Sequence, residues 1–112
     1  MSDPHFSLLV LRCQALEASK RFYERLGFRF VEEQHGDGPL HYASEEAGMV
    51  FELYPSREED VADRTRLGFR VTNLEEIVAH LETVNRHVIA DDVVYIAQDP
   101  DGRRVELRER TT

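Results

Sequence analysis

Cysteine is almost absent. Cys13 stands alone, so no internal disulfide can form. It lies in an apolar strand pattern with no general base nearby, the setting of a buried, inert thiol. Lysine is equally scarce: Lys20 is the only one, and there is no tryptophan. No apolar run is long enough to span a bilayer. The opening MSDPHF lacks the basic and apolar stretches of a signal peptide. These absences predict a cytoplasmic protein with no membrane contact. There is no glycine-rich phosphate loop, no nucleophile–base motif, no basic patch interleaved with aromatics and no amphipathic membrane helix. What is abundant is acid. A net charge of −8 speaks against nucleic acid as a partner and favours cationic or neutral ligands, or simply solubility. With 112 residues, the chain suits a single domain with a modest core.

The apolar pattern alternates between two periods. Residues 6–13 read as a strand, and residues 15–27 as a helix with a stripe of Leu16, Phe22, Tyr23 and Leu26, stopped by Gly27. Strands are expected at 28–35, 40–45 and 49–54, with a loop at 35–39. Residues 55–65 are polar and without period, so they read as a linker. A strand at 66–71 precedes a second helix, capped by Asn73 with Glu76 as its box partner and striped by Leu74, Ile77, Val78, Leu81 and Val84. Strands at 86–90 and 93–98, the DPDG turn and a strand at 103–109 complete the chain.

Each half therefore reads strand, helix, three strands: module one over 6–54, the linker over 55–65, module two over 66–110. The residues repeat as well. LVLRCQALE from Leu9 lies over LGFRVTNLE from Leu67, and VFELY lies over RVELR, matching Glu52 to Glu106 and Leu53 to Leu107. The common order of elements makes duplication the better account of these short matches. Phe51 and Leu53 would share one strand face, with Glu52 and Tyr54 on the other. Val105 and Leu107 would likewise oppose Glu106. Two carboxylates thus project from equivalent positions, away from the helices.

A βαβββ unit used twice, with EASKRFYERLGF near its start and DPDGRRVEL near its end, resembles the vicinal oxygen chelate superfamily. That group includes glyoxalases, bleomycin-resistance proteins and extradiol dioxygenases. The resemblance implies an α+β fold in which two tandem βαβββ modules form a half-open, mostly antiparallel barrel with helices on the outside. Metal-dependent members typically place His, Glu, His and Glu on the first and fourth strands of the two modules. The glutamates carry over onto Glu52 and Glu106. The histidine positions are Leu8 and Arg66, and neither can ligate, since leucine has no donor atom and a guanidinium offers only N–H groups. No metal and no cofactor is therefore expected. Glu52 is expected to face the cavity and to be met by Arg66, with Glu106 close by, because an unpaired buried charge is costly.

His41 reads as a partly exposed structural histidine, with a replacement metal ligand, a ligand contact or an acid/base group as other uses. His35 and His80 read as surface residues. Tyr42, Tyr54 and Tyr95 are expected to line the cavity beside Leu8 and Val10, as aromatic walls for a planar ligand. The expected function is that of a bleomycin-resistance relative: a non-enzymatic protein sequestering a drug-sized aromatic or peptide-like natural product, in a cleft shared by a homodimer. Two alternatives stand beside it. One is a glyoxalase-type lyase, isomerase or dioxygenase, using a divalent ion on Glu52, Glu106 and His41. The other is a metal-independent enzyme with Glu52 or Glu106 as general base.

Overall fold

The computed structural model describes residues 3–57 and 63–111, so residues 58–62 of the expected linker lie outside the described residues. The first module comprises β1 (Leu8–Cys13), α1 (Leu16–Arg25), β2 (Val31–Glu33), β3 (His41–Glu46) and β4 (Met49–Pro55). The second comprises β5 (Leu67–Val71), α2 (Leu74–Val78), β6 (Val84–Ile89), β7 (Asp92–Gln98) and β8 (Arg104–Glu109). The strand orders are β1-β4-β3-β2 and β5-β8-β7-β6, two open four-stranded sheets. Each has one parallel pairing, of its first strand with its last, and two antiparallel ones. This is the tandem βαβββ, α+β architecture that the repeat implied. No helix among the described residues is long and apolar enough to cross a membrane.

The ladders carry the duplication down to the residue. Glu52 pairs with Val10 and Leu53 with Leu11; Glu106 pairs with Gly68 and Leu107 with Phe69. Because strand side chains alternate, this register sends Phe51, Leu53, Val105 and Leu107 into the interior, where none is more than 1% exposed. Glu52 and Glu106 are left half-buried on the opposite face. Both interior faces feed one core. Edge-to-face ring contacts link the modules within it, Phe28 to Phe69 at 5.2 Å and Tyr23 to Phe69 at 6.1 Å, while Phe51 packs on Tyr23 and Phe28 at 5.1 and 5.0 Å.

A buried ionic knot reinforces that junction. The Arg103 guanidinium is 1% exposed and donates to Asp99 at 3.0 Å, to Asp63 at 2.6 Å and to the Arg12 carbonyl on β1. Tyr23 on α1 donates at 2.6 Å to Asp99 Oδ2, the same oxygen that accepts from Arg103, and the Gln14 amide donates to Asp101. The DPDG segment is thus more than a hairpin turn. Its carboxylates fasten module two to α1 and to Gln14, and Arg103 beside them reaches β1.

Three elements depart from the sequence expectation. The strand expected at 28–35 pairs only over Val31–Glu33, because Phe28 and Phe30 turn to the core instead. The second helix stops at Val78, and Val84, expected on its stripe, opens β6. Asn73 adopts left-handed geometry at φ 61 and its side chain makes no capping bond. The Glu109 carboxylate on β8 takes that role, accepting from the Asn73 amide at 3.2 Å and the Leu74 amide at 2.9 Å.

Candidate functional site

The candidate site is the open face of each sheet, the one turned away from the core. In module one the ladder sets two rows across the strands. One row runs Val31, Ala43, Glu52, Val10. The other runs Glu33, His41, Tyr54, Arg12, its β3–β4 link made by the His41 ring stacked on Tyr54 at 4.1 Å and 9°. The Arg12 guanidinium also lies over the Tyr54 ring, 5.0 Å from its centre. Glu52 therefore stands between apolar neighbours with 16% of its side chain exposed, and its nearest basic group is His41 Nε2 at 3.8 Å. Leu8 and Val10 are exposed beside it on β1, and Val31 on β2. A recess of about 540 Å³ opens over Glu52, Ala43, Val31 and Val50, with Glu33, Glu45 and Arg29 at its charged margin.

Module two presents the opposite charge. Arg66 donates to Glu106 Oε2 at 2.6 Å, Arg104 reaches the same oxygen at 3.1 Å, and Arg108 stands 3.9 Å from Oε1. The hydrogen bond from Arg66 holds the Glu106 carboxyl below its ordinary value, outweighing the effect of burial. Arg66 was expected on Glu52. It meets Glu106 because it leads directly into β5, whose ladder partner is β8, whereas Glu52 belongs to the other sheet.

The structure divides the expected site residues. Leu8, Val10, His41, Glu52 and Tyr54 gather on the open face of module one, and Arg66 and Glu106 on that of module two. Tyr42 and Tyr95 belong to neither. They pair with Leu53 and Leu107, lie on the helix side and are each 7% exposed. Tyr42 donates to Glu17 of α1 and Tyr95 to Glu75 of α2, the latter at 2.8 Å. The Glu17 hydrogen bond pushes the Tyr42 phenol up to about 12, and Glu75 raises Tyr95 likewise. Their cavity-lining role is therefore corrected to a helix-to-sheet clasp, repeated once per module. The repeat already held the signal, since Glu17 and Glu75 match within it.

His41 is also corrected: it is 1% exposed, not partly exposed. Two residues beside it, Glu33 and His35, are not among the expected site residues. Glu33 Oε1 lies 3.3 Å from His41 Nε2 and 3.7 Å from His35 Nε2. His35 had been placed on the surface, where 75% of its side chain indeed is. Only the hairpin brings it back over His41, the two rings 5.2 Å apart. That loop is tight: a Cβ on Gly38 would lie 3.0 Å from the His35 carbonyl oxygen.

The donor set at the family's strand positions does not fit a metal ion. Leu8 has nothing to offer, and the Arg66 guanidinium is bonded to the very carboxylate that would share the ion.

Comparison with solved structures places the fold among known ones. Lactoylglutathione lyase from Agrobacterium tumefaciens superposes with a TM-score of 0.70 at 16% identity, covering 96% of this chain and 95% of that one. TnmS3, an antibiotic binding protein from Streptomyces sp., superposes with a TM-score of 0.71 at 22% identity, covering 99% of each chain. The oxidase ChaP-H2 gives 0.69 at 18%, covering 97% and 95%. No curated protein matches the sequence. Residues 5–107, nearly the whole of both modules, match one family, and the chain belongs to the Glyoxalase/Bleomycin resistance protein/Dioxygenase superfamily.

Proposed function

We propose that this chain is a small-molecule binding protein that sequesters a drug-sized aromatic or peptide-like natural product, without using an ion at the family's usual strand positions. One observation carries the reading: the Arg66–Glu106 pair, at 2.6 Å, stands at the family's ligand positions in module two, while Leu8 stands exposed at the matching position in module one. What remains around Glu52 is a binding wall rather than a donor set. Leu8, Val10 and Val31 offer apolar contact, Tyr54 a stacking edge backed by His41, and Glu52 one desolvated acceptor for a cationic or N–H-bearing group. The fold shared with an antibiotic-binding protein is in keeping with this.

The cleft is proposed to form between two copies. On the open face of module one Glu33, Glu45 and Glu52 outnumber Arg12 and Arg29, whereas on that of module two Arg66, Arg104 and Arg108 outnumber Glu106. Complementary charge favours module one of one copy over module two of the other, which would close two equivalent clefts and cover the exposed apolar residues.

Sedimentation at micromolar concentration should give a homodimer. Calorimetric screening against aromatic and glycopeptide-type natural products should find a ligand taken up once per cleft, recovered unchanged by mass spectrometry, and weakened by Val10→Asp. A monomer that binds none of them would sink the reading. A second reading rests on the Glu52–His41 contact at 3.8 Å, which suits a metal-independent enzyme with Glu52 as general base. Chemical conversion of a bound ligand, abolished by Glu52→Gln, would favour that instead.

A further inference from the structure

We infer that the β2–β3 hairpin of module one holds a first-row divalent metal ion of the zinc kind, on Glu33, His35 and His41, with Glu52 at its edge. Its three ligands on the β2–β3 hairpin lie outside the family's strand-one and strand-four positions, with only Glu52 flanking both, and the site goes beyond the binding function proposed above.

The argument starts at His41. Its ring is 1% exposed, and Nδ1 lies 3.2 Å from the Pro39 carbonyl oxygen. A carbonyl can only accept, so Nδ1 carries the proton and donates. In the neutral ring Nε2 is then a bare lone pair. It is buried and has no hydrogen-bond partner among the described residues. What it faces instead is two carboxylates, Glu33 Oε1 at 3.3 Å and Glu52 Oε2 at 3.8 Å. Three acceptors this close together are unfavourable unless a donor or a positive charge sits among them. A proton on Nε2, a bridging water or a cation can supply it.

The geometry favours a metal. One ligand atom from each of Glu33, His35 and His41 lies within 4.8 Å of the others. A tetrahedral zinc ion with bonds of about 2.0–2.1 Å holds its ligand atoms roughly 3.3 Å apart. Glu33 Oε1 is already 3.3 Å from His41 Nε2 and 3.7 Å from His35 Nε2, so small side-chain rotations complete the cage. A proton on Nε2 would explain the position of Glu33. It would not explain a second imidazole turned toward the same oxygen. The hydrogen bond from Nδ1 to a backbone carbonyl is also the support that metal-binding histidines carry on their other nitrogen. Two imidazoles with carboxylates suit zinc, cobalt or nickel and disfavour calcium or magnesium, which prefer oxygen alone. The ion would also offset the two negative charges of Glu33 and Glu52.

The test uses the full chain without a histidine tag, stripped by a chelator. Zinc chloride is titrated calorimetrically while ring nitrogens are followed by long-range ¹⁵N NMR. We expect one zinc per chain, with the His35 and His41 ring signals shifting together. His35→Ala removes an exposed ligand and leaves the fold intact. It should weaken binding by more than about tenfold, the loss known for even outer-shell partners. Glu33→Gln should do the same. Three outcomes would overturn the inference. One is zinc binding that His35→Ala leaves unchanged. Another is ring signals that zinc does not move. The third is a His41 ring that stays doubly protonated at neutral pH in the presence of zinc. Ligand capture by the cleft is measured separately with and without chelator, so either proposal can fail alone.

Discussion

Arg66 shows how one ladder neighbour decides a residue's partner. Arg66 and Arg104 share one oxygen of Glu106, with Arg108 near the other, and Arg66 is 64% exposed. Exposed pairs contribute little, because water screens them and long side chains lose freedom in forming them. Arg66→Leu should therefore change stability by less than about 1 kcal/mol. Its effect should appear in titration, where the Glu106 carboxyl, followed by ¹³C NMR, moves upward toward its ordinary value, since its largest stabilising contact is gone. An unmoved Glu106 would show that Arg104 alone holds it. Sequence could place both groups on one face but could not choose between Glu52 and Glu106 as partner. That choice depends on which sheet each strand joins.

At the scale of elements, α2 depends on a residue far along the chain. It runs for five residues and has no cap of its own, so its first amides donate to Glu109 of β8. Replacing Glu109 with Ala should cost about 0.5–2 kcal/mol, the range for loss of an N-cap. Hydrogen exchange at Asn73 and Leu74 should accelerate before that of the β8 core. If Asn73→Ala proved the costlier change, the cap would be local after all. The Asn73–Glu76 spacing pointed to a capping box, and local pattern is a fair guide when only local groups compete. Here a carboxylate delivered by the parallel β5–β8 pairing outcompetes the local side chain.

For the molecule as a whole, the Arg103 knot is the point of greatest leverage. It ties β1, α1 and the DPDG turn with charges taken almost wholly out of water. Removing one member of a buried pair leaves the other uncompensated, so Arg103→Met should destabilise by about 3–5 kcal/mol in denaturant unfolding. Burial pushes the Asp63 carboxyl up, but hydrogen bonds from Thr65 and Arg103 outweigh it and hold the group down at about 2. That folded value lies below the unfolded one of about 3.9. The stabilisation it brings is complete above that range and is lost as pH falls from about 4 through about 2. Arg103→Met should flatten this acid limb of the stability curve. A variant with the same acid dependence as the parent would mean that Asp63 is held by Thr65 alone.

Sequence by itself determined the duplicated order of strands and helices, the interior set of Phe51, Leu53, Val105 and Leu107, and the outward placement of Glu52 and Glu106. These follow from periods of two and about 3.6 residues along the chain, which local covalent geometry enforces. Tertiary structure decided which face Tyr42 and Tyr95 serve, which carboxylate Arg66 meets, what caps α2 and what surrounds His41. Each of these depends on the neighbour a ladder or a hairpin delivers. Glu33, His35 and His41 show the difference most clearly. They lie within nine positions of one another, yet only the antiparallel return of β3 along β2 turns two imidazoles and a carboxylate toward one point.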